Sequence, residues 1–170
     1  MKTILTVALF SLPMLAADRA WDTAAVKAAC GPNEVKFNAN PSRGQQPAAQ
    51  TEAGKALVYV VEPYGPLNAL GAPTIRVGLD GAWTGANHRA SYLFFSVQPG
   101  EHHLCADWQS ALYVQPSLIN LRAEAGQTYY FSTLITAHPG FYTVEFAPQN
   151  SDEGRLLLET SLLSDYHPKK

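Results

Sequence analysis

Charge is scarce in this 170-residue chain: Asp, Glu, Lys and Arg together make up 15% of it, where about 25% is usual. Beside 46% hydrophobic residues, that scarcity excludes a disordered chain, which combines low hydrophobicity with high charge. The signs nearly cancel, at a net −2 and a pI near 6.2, so the basic footprint of a nucleic-acid binder is missing. Cysteine is nearly absent, with Cys30 and Cys105 alone and no CxxC pair. The sequence also lacks a phosphate loop, a dinucleotide fingerprint, a haem box and a Gly-x-Ser-x-Gly elbow. Beyond the first residues no apolar run approaches the roughly 20 residues of a membrane span. What remains suits a turn-rich β protein: 12 Gly, 12 Pro and 11% aromatics, in a length expected to form one domain.

Residues 1–17 read as a secretory signal peptide. Lys2 supplies the basic start, ILTVALFSL the apolar stretch, and Ala16 and Ala17 the small residues for cleavage after Pro13. Cleavage after Ala17 leaves Leu15 at the −3 position, and cleavage after Ala20 leaves Asp18 there. Ala28 and Ala29 before Cys30 hint at a lipid-attachment box, but Lys27 and the distance from the apolar stretch argue against one. Export implies an oxidising compartment, where an even cysteine pair favours a Cys30–Cys105 disulfide tying an N-terminal arm to the body.

Residues 20–32 predict a short helix stopped at Gly31-Pro32, and residues 34–37 a short strand. Residues 38–54 carry no large apolar side chain and read as a linker or exposed loop. The body then alternates β-rich runs with turn signals. Strands are expected at 55–62, 74–80, 91–97, 101–108, 117–124, 127–136 and 141–146, with Asp80-Gly81, Pro99-Gly100 and Pro139-Gly140 among the turns. Ser151 or Asp152 would cap a closing helix whose stripe is Leu156, Leu157, Leu158, Leu162 and Leu163. The expected fold is mostly β: an antiparallel β-sandwich of about seven to eight strands, with a C-terminal α-helix and a short N-terminal helix. The domain plan is a signal peptide at 1–17, an arm and linker at 18–53, the sandwich with its helix at 54–165, and a polar tail at 166–170.

The order of motifs in the body is itself informative. Gly54-Lys55-Ala56-Leu57-Val58-Tyr59-Val60 is followed by Val77-Gly78-Leu79-Asp80-Gly81 and Ser91-Tyr92-Leu93-Phe94-Phe95. Then come Val97-Gln98-Pro99-Gly100-Glu101-His102 and Ala125-Gly126-Gln127-Thr128-Tyr129-Tyr130-Phe131. Over residues 54–163 this resembles the DUF2846 domain family of exported bacterial proteins of unknown function, with a strand logic similar to PEGA-type envelope modules. The resemblance implies a small β-sandwich on an exported or lipid-anchored protein, and brings no catalytic residues with it.

Candidate sites are few. His102 and His103 are neighbours on one strand, so they point to opposite faces and cannot chelate one ion together. With His88 and His138 elsewhere, no zinc spacing emerges, and no metal or cofactor is expected. Cys105 with His103 and Asp107 is a conceivable nucleophilic set, excluded if Cys105 is bridged. Asp80, Asp107, Glu124 and Glu145 sit on different strands or strand ends, with nothing to pair any two across a cleft. Aromatics suggest most. Trp83, Tyr64 and Tyr113 stand in or beside turns, where Tyr and Trp with a polar rim suit protein or glycan recognition; the competing role for Trp83 is a lid over one end of the core. The expected function is therefore a non-enzymatic periplasmic or secreted module binding an envelope protein or glycan, with no nucleic-acid partner. A small-ligand or metal carrier, or a hydrolase assembled around His88, His103 or His138, are the alternatives.

Overall fold

The computed structural model describes residues 23–43, 52–65, 71–109 and 114–170. The expected signal peptide, residues 44–51 of the expected linker and Tyr113 lie outside these residues. The described residues are mostly β, in two sheets with two short helices, an arrangement that fits a sandwich. The strands are β1 (Phe37–Ser42), β2 (Ala56–Glu62), β3 (Thr74–Leu79), β4 (Ala82–His88), β5 (Ser91–Val97) and β6 (Gly100–Trp108). They continue as β7 (Val114–Gln115), β8 (Ser117–Ala123), β9 (Thr128–His138), β10 (Phe141–Gln149) and β11 (Leu162–Pro168). Helix α1 is Ala24–Ala29 and α2 is Ser151–Glu159.

The larger sheet runs β1-β11-β5-β2-β9-β10-β7 and the smaller runs β4-β3-β6-β8. The small sheet is antiparallel throughout, but the large one is mixed: β11 with β5, β2 with β9, and β10 with β7 pair in parallel. The wholly antiparallel expectation is corrected on this point, and so is the strand number, which is eleven among the described residues.

Strand β2 lies deep in the large sheet because both its faces are apolar. Val58 and Val60 join Ile75, Val77, Leu93, Leu104, Phe131 and Phe146 in the core between the sheets. On the opposite face Tyr59 stacks on Tyr130, with ring centres 5.4 Å apart and planes 5° from parallel. Phe94 and Tyr92 flank Tyr59 at 5.7 and 6.1 Å. Helix α2 lies against this aromatic face. Its Gly154 sits so close that a Cβ there would be 2.2 Å from Cγ of Tyr130.

Two local expectations change at the C-terminus. Asn150 caps α2, its side-chain oxygen accepting from the Asp152 and Glu153 amides at 3.0 and 2.9 Å, while Asp152 and Glu153 face the positive end of the helix dipole. The helix stops at Glu159, so Leu162 and Leu163 belong to β11 rather than to its stripe. Strand β11 inserts between β1 and β5, and the expected polar tail supplies part of it, with Tyr166 resting on Gly85 and Ser164 donating to the Ala86 carbonyl at 2.7 Å. The arm likewise contributes β1, which pairs with β11 over six residues from Phe37 to Ser42, so the short strand expected at 34–37 lies further on and residues 38–42, expected as linker, are strand held by that pairing.

Candidate functional site

The arm packs on the outer face of the small sheet through a dense set of bonds. Cys30 and Cys105 are joined, with Cα atoms 5.3 Å apart. Arg76, 1% exposed on β3, donates from Nε to Asp107 Oδ2 at 3.0 Å and from a terminal nitrogen to the same oxygen. It also donates to the Asn33 and Val35 carbonyls at 2.9 and 2.6 Å and to the Asn33 side chain at 3.1 Å. Gln109 donates to the Phe37 carbonyl and accepts from the Phe37 amide, both at 2.8 Å, as a strand neighbour would. Burial pushes the Asp107 carboxyl up, and the Arg76 charge and hydrogen bonds oppose that rise.

Trp83 belongs to this buttress. Its indole N–H donates to the Pro32 carbonyl at 2.8 Å, and the Arg76 guanidinium lies 4.3 Å from its ring centre. A Cβ on Gly31 would fall 2.3 Å from the Trp83 ring, so the arm is pressed against it. The indole thus clamps the arm to the outer face of the small sheet. A groove of about 420 Å³ beside it is lined by Val26, Lys27, Cys30, Gly31, Pro32 and Glu34, among others. Its charged side chains, Lys27 and Glu34, are exposed rather than converging inward.

The histidines are spread out. His102 places Nδ1 2.7 Å from Asp80 Oδ2 and Nε2 2.7 Å from the Gln98 carbonyl. Asp80 also accepts from the His103 amide at 2.8 Å, and it sits at φ 50° beside Gly81 at φ 83° in a two-residue hairpin turn. For His102, desolvation is the largest influence and lowers its pKa, but the Asp80 hydrogen bond, the Gln98 carbonyl and the Asp80 charge together raise it. For Asp80, desolvation pushes up and is outweighed by bonds from His102 and His103 and by their charges, so its pKa is lowered. His103 pairs with Asn120 at 2.8 Å, His88 with the Pro73 carbonyl at 2.9 Å, and His138 with Thr143 at 3.1 Å. The four lie in separate places. Among the described residues no group of three or more His, Cys, Asp and Glu side chains gathers around a point. The conceivable Cys105 nucleophile is consumed by the disulfide. Of the four carboxylates, Asp80 and Asp107 are engaged as above, and Glu124 and Glu145 are exposed.

Among the described residues the exposed large hydrophobic side chains are Leu118 on β8, Leu156 on α2, Tyr64 after β2, and Leu134 and Phe141 on the β9–β10 hairpin. Tyr64, just past β2, is 75% exposed. Strand β9 pairs with β2 only as far as Ser132, while its pairing with β10 runs on to His138. Residues 136–141 are all exposed. Leu134 and Phe141 are 44% and 47% exposed, and His138 stacks on Phe141 with ring centres 4.6 Å apart and planes 9° from parallel. Leu134 and Phe141 were not among the site residues expected from sequence, and His138 was expected only in the hydrolase alternative. A signal for them exists there: no Asp, Glu, Lys or Arg occurs from Ala125 to Val144.

Comparison of the chain with protein-family models, with curated proteins and with solved structures returns no match.

Proposed function

We propose that this chain is a non-enzymatic, extracytoplasmic β-sandwich module that binds a protein or glycan of the cell envelope. The observation that carries the reading is the set of exposed apolar side chains Tyr64, Leu134 and Phe141, the last two on a hairpin with no Asp, Glu, Lys or Arg from Ala125 to Val144. Apolar side chains held open on a projecting hairpin suit a contact surface. Two further features support export: a signal-like N-terminus in the sequence, and the pairing of the two cysteines, which suits an oxidising compartment. The motif order that resembles the DUF2846 family agrees with such a module. The bonded or scattered state of the histidines and acids favours binding over hydrolysis.

The test is site-specific photo-crosslinking in intact envelopes, with the reactive group placed at Tyr64, at Phe141, and at Glu101 on the opposite end of β6 as a control. Adducts from Tyr64 and Phe141, and none from Glu101, are expected. Adducts of equal yield from all three positions, or from none, would remove these side chains as the contact surface. A chain found wholly in the cytoplasm would remove the envelope assignment.

A further inference from the structure

Resting on that binding-module reading, we propose that the ligand at the β9–β10 tip is an uncharged glycan, stacked on Phe141.

The argument begins with which side chains share a face. Val144 and Phe146 of β10 point into the core, so Phe141, Thr143 and Glu145 occupy the other face. The register sets His138 opposite Phe141, Thr136 opposite Thr143, and Leu134 opposite Glu145. The face therefore carries one aromatic pair, two threonine hydroxyls, one leucine and one carboxylate.

The aromatic pair is held in place. His138 lies parallel to Phe141, and its Nε2 is 3.1 Å from the Thr143 hydroxyl, which fixes the imidazole plane. Phe141 keeps 47% of its surface open, and Gly140 at φ 86° makes the tight turn that presents it. The ring is therefore ordered before any ligand arrives, which lowers the entropy cost of stacking. A sugar ring has C–H groups on one face and hydroxyls around its edge. The C–H groups meet the negative face of an aromatic ring, and the hydroxyls need donors and acceptors at its rim. Thr136, Thr143 and Glu145 supply that rim.

Charge decides among partners. With no basic residue from Ala125 to Val144, the hairpin contributes no cation of its own to phosphate, sulfate or uronate groups or to anionic lipid headgroups. Glu145, exposed opposite Leu134, would have to be desolvated if the hairpin entered a bilayer. Three exposed apolar side chains, Tyr64, Leu134 and Phe141, are also too few for the buried centre of a stable protein interface. A neutral sugar needs one platform and a few hydroxyl partners, which is what the tip provides.

The test uses the mature full-length chain and a panel of soluble neutral oligosaccharides: gluco-, manno-, xylo-, galacto- and N-acetylglucosamine-linked hexamers, each at about 10 mM to detect dissociation constants in the millimolar range. Saturation-transfer NMR should show contact with the C–H protons of at least one sugar, and the Phe141 ring signals should move. Phe141→Ala should weaken that binding by roughly tenfold or more, and Phe141→Tyr should leave it within about threefold. Both positions are on the exposed tip, and an unchanged melting temperature confirms that each variant folds. A flat panel overturns the glycan assignment, as does binding to phosphatidylcholine or phosphatidylglycerol vesicles that Phe141→Ala abolishes. If the envelope adduct from Phe141 persists while every sugar fails, the sugar class is wrong and the binding-module reading stands. If both fail, both fall.

Discussion

Replacing Arg76 by Met removes the cation that holds the arm to the small sheet while keeping most of its stem. Three consequences follow from the bonds it makes. Asp107 is left as a nearly buried carboxylate without its ion partner, which costs about 3–5 kcal/mol when a buried pair is broken on one side. The carbonyls of Asn33 and Val35 lose a donor, and the Trp83 ring loses its cation. Asn33 is exposed and water replaces its bond cheaply, so the buried charge dominates the loss. In a chain of this size about 2–4 °C of melting temperature accompanies each kcal/mol, so a drop of about 6–20 °C is expected. Circular dichroism of the mature protein reads it directly. The double variant Arg76→Met with Asp107→Leu removes the stranded charge and should recover most of the loss. The deficit of the single variant should also shrink in acid. Desolvation already raises the Asp107 pKa, and without Arg76 nothing nearby opposes it as strongly. A carboxyl whose folded pKa lies above its unfolded value takes up protons on folding, so stability improves as pH falls through the folded value. Equal losses in the single and double variants would refute this reasoning and put the cost in the arm contacts instead.

Three other outcomes are expected. Reducing the Cys30–Cys105 bond, 75 residues apart, should cost about 4.5 kcal/mol by the chain-entropy relation; free thiols in the denatured, unreduced protein, or an unchanged melt after reduction, would contradict it. The His102–Asp80 contact should give a bell-shaped stability contribution. The raised His102 pKa makes its share complete below the unfolded histidine value and lost as pH rises through the folded one. The lowered Asp80 pKa makes its share present above the unfolded carboxylate value and lost as pH falls through the folded one. His102→Gln should flatten the alkaline limb, and an NMR titration placing His102 below the ordinary histidine range would refute the assignment. Gly154→Ala should cost about 1–3 kcal/mol from overpacking against Tyr130, less the roughly 1 kcal/mol gained in helix propensity, with a changed near-ultraviolet spectrum from the Tyr59–Tyr130 stack; a stabilised variant with an unaltered spectrum would show that α2 does not press on the ring.

The parts of the fold legible in the sequence are those where the hydrophobic period was unambiguous. Residues 55–62 and 91–97 are apolar on both faces, and they became the interior strands β2 and β5. Four strands escaped because their local chemistry argues against strand. Strand β4 reads AWTGANH, with small and polar residues, yet it is held by pairing with β3 and by the close approach of Tyr166 to Gly85. Strand β1 contains two asparagines and a proline and is stabilised by β11 alone in the sheet order. Strand β7 has two residues. Strand β11 begins with two leucines that continue the helical spacing of Leu156–Leu158, and only the tertiary slot between β1 and β5 decides against helix there.

The same division holds for function. The disulfide could be read from cysteine arithmetic, because a chain with two cysteines and an expected export signal leaves few options. Trp83 could not be placed, since a turn-like setting says nothing of whether an arm folds back over the indole; here Pro32 and Arg76 decide the matter. Phe141 was overlooked for the opposite reason. A phenylalanine after Pro139-Gly140 begins an ordinary strand pattern, and only the register shows that its neighbour across the turn is a stacked histidine and that β2 has already parted from β9. The lack of charge from Ala125 to Val144 is therefore the informative part of the sequence: β9 runs on past the end of its pairing with β2, where an exposed strand edge would ordinarily carry charged side chains, and this stretch has none.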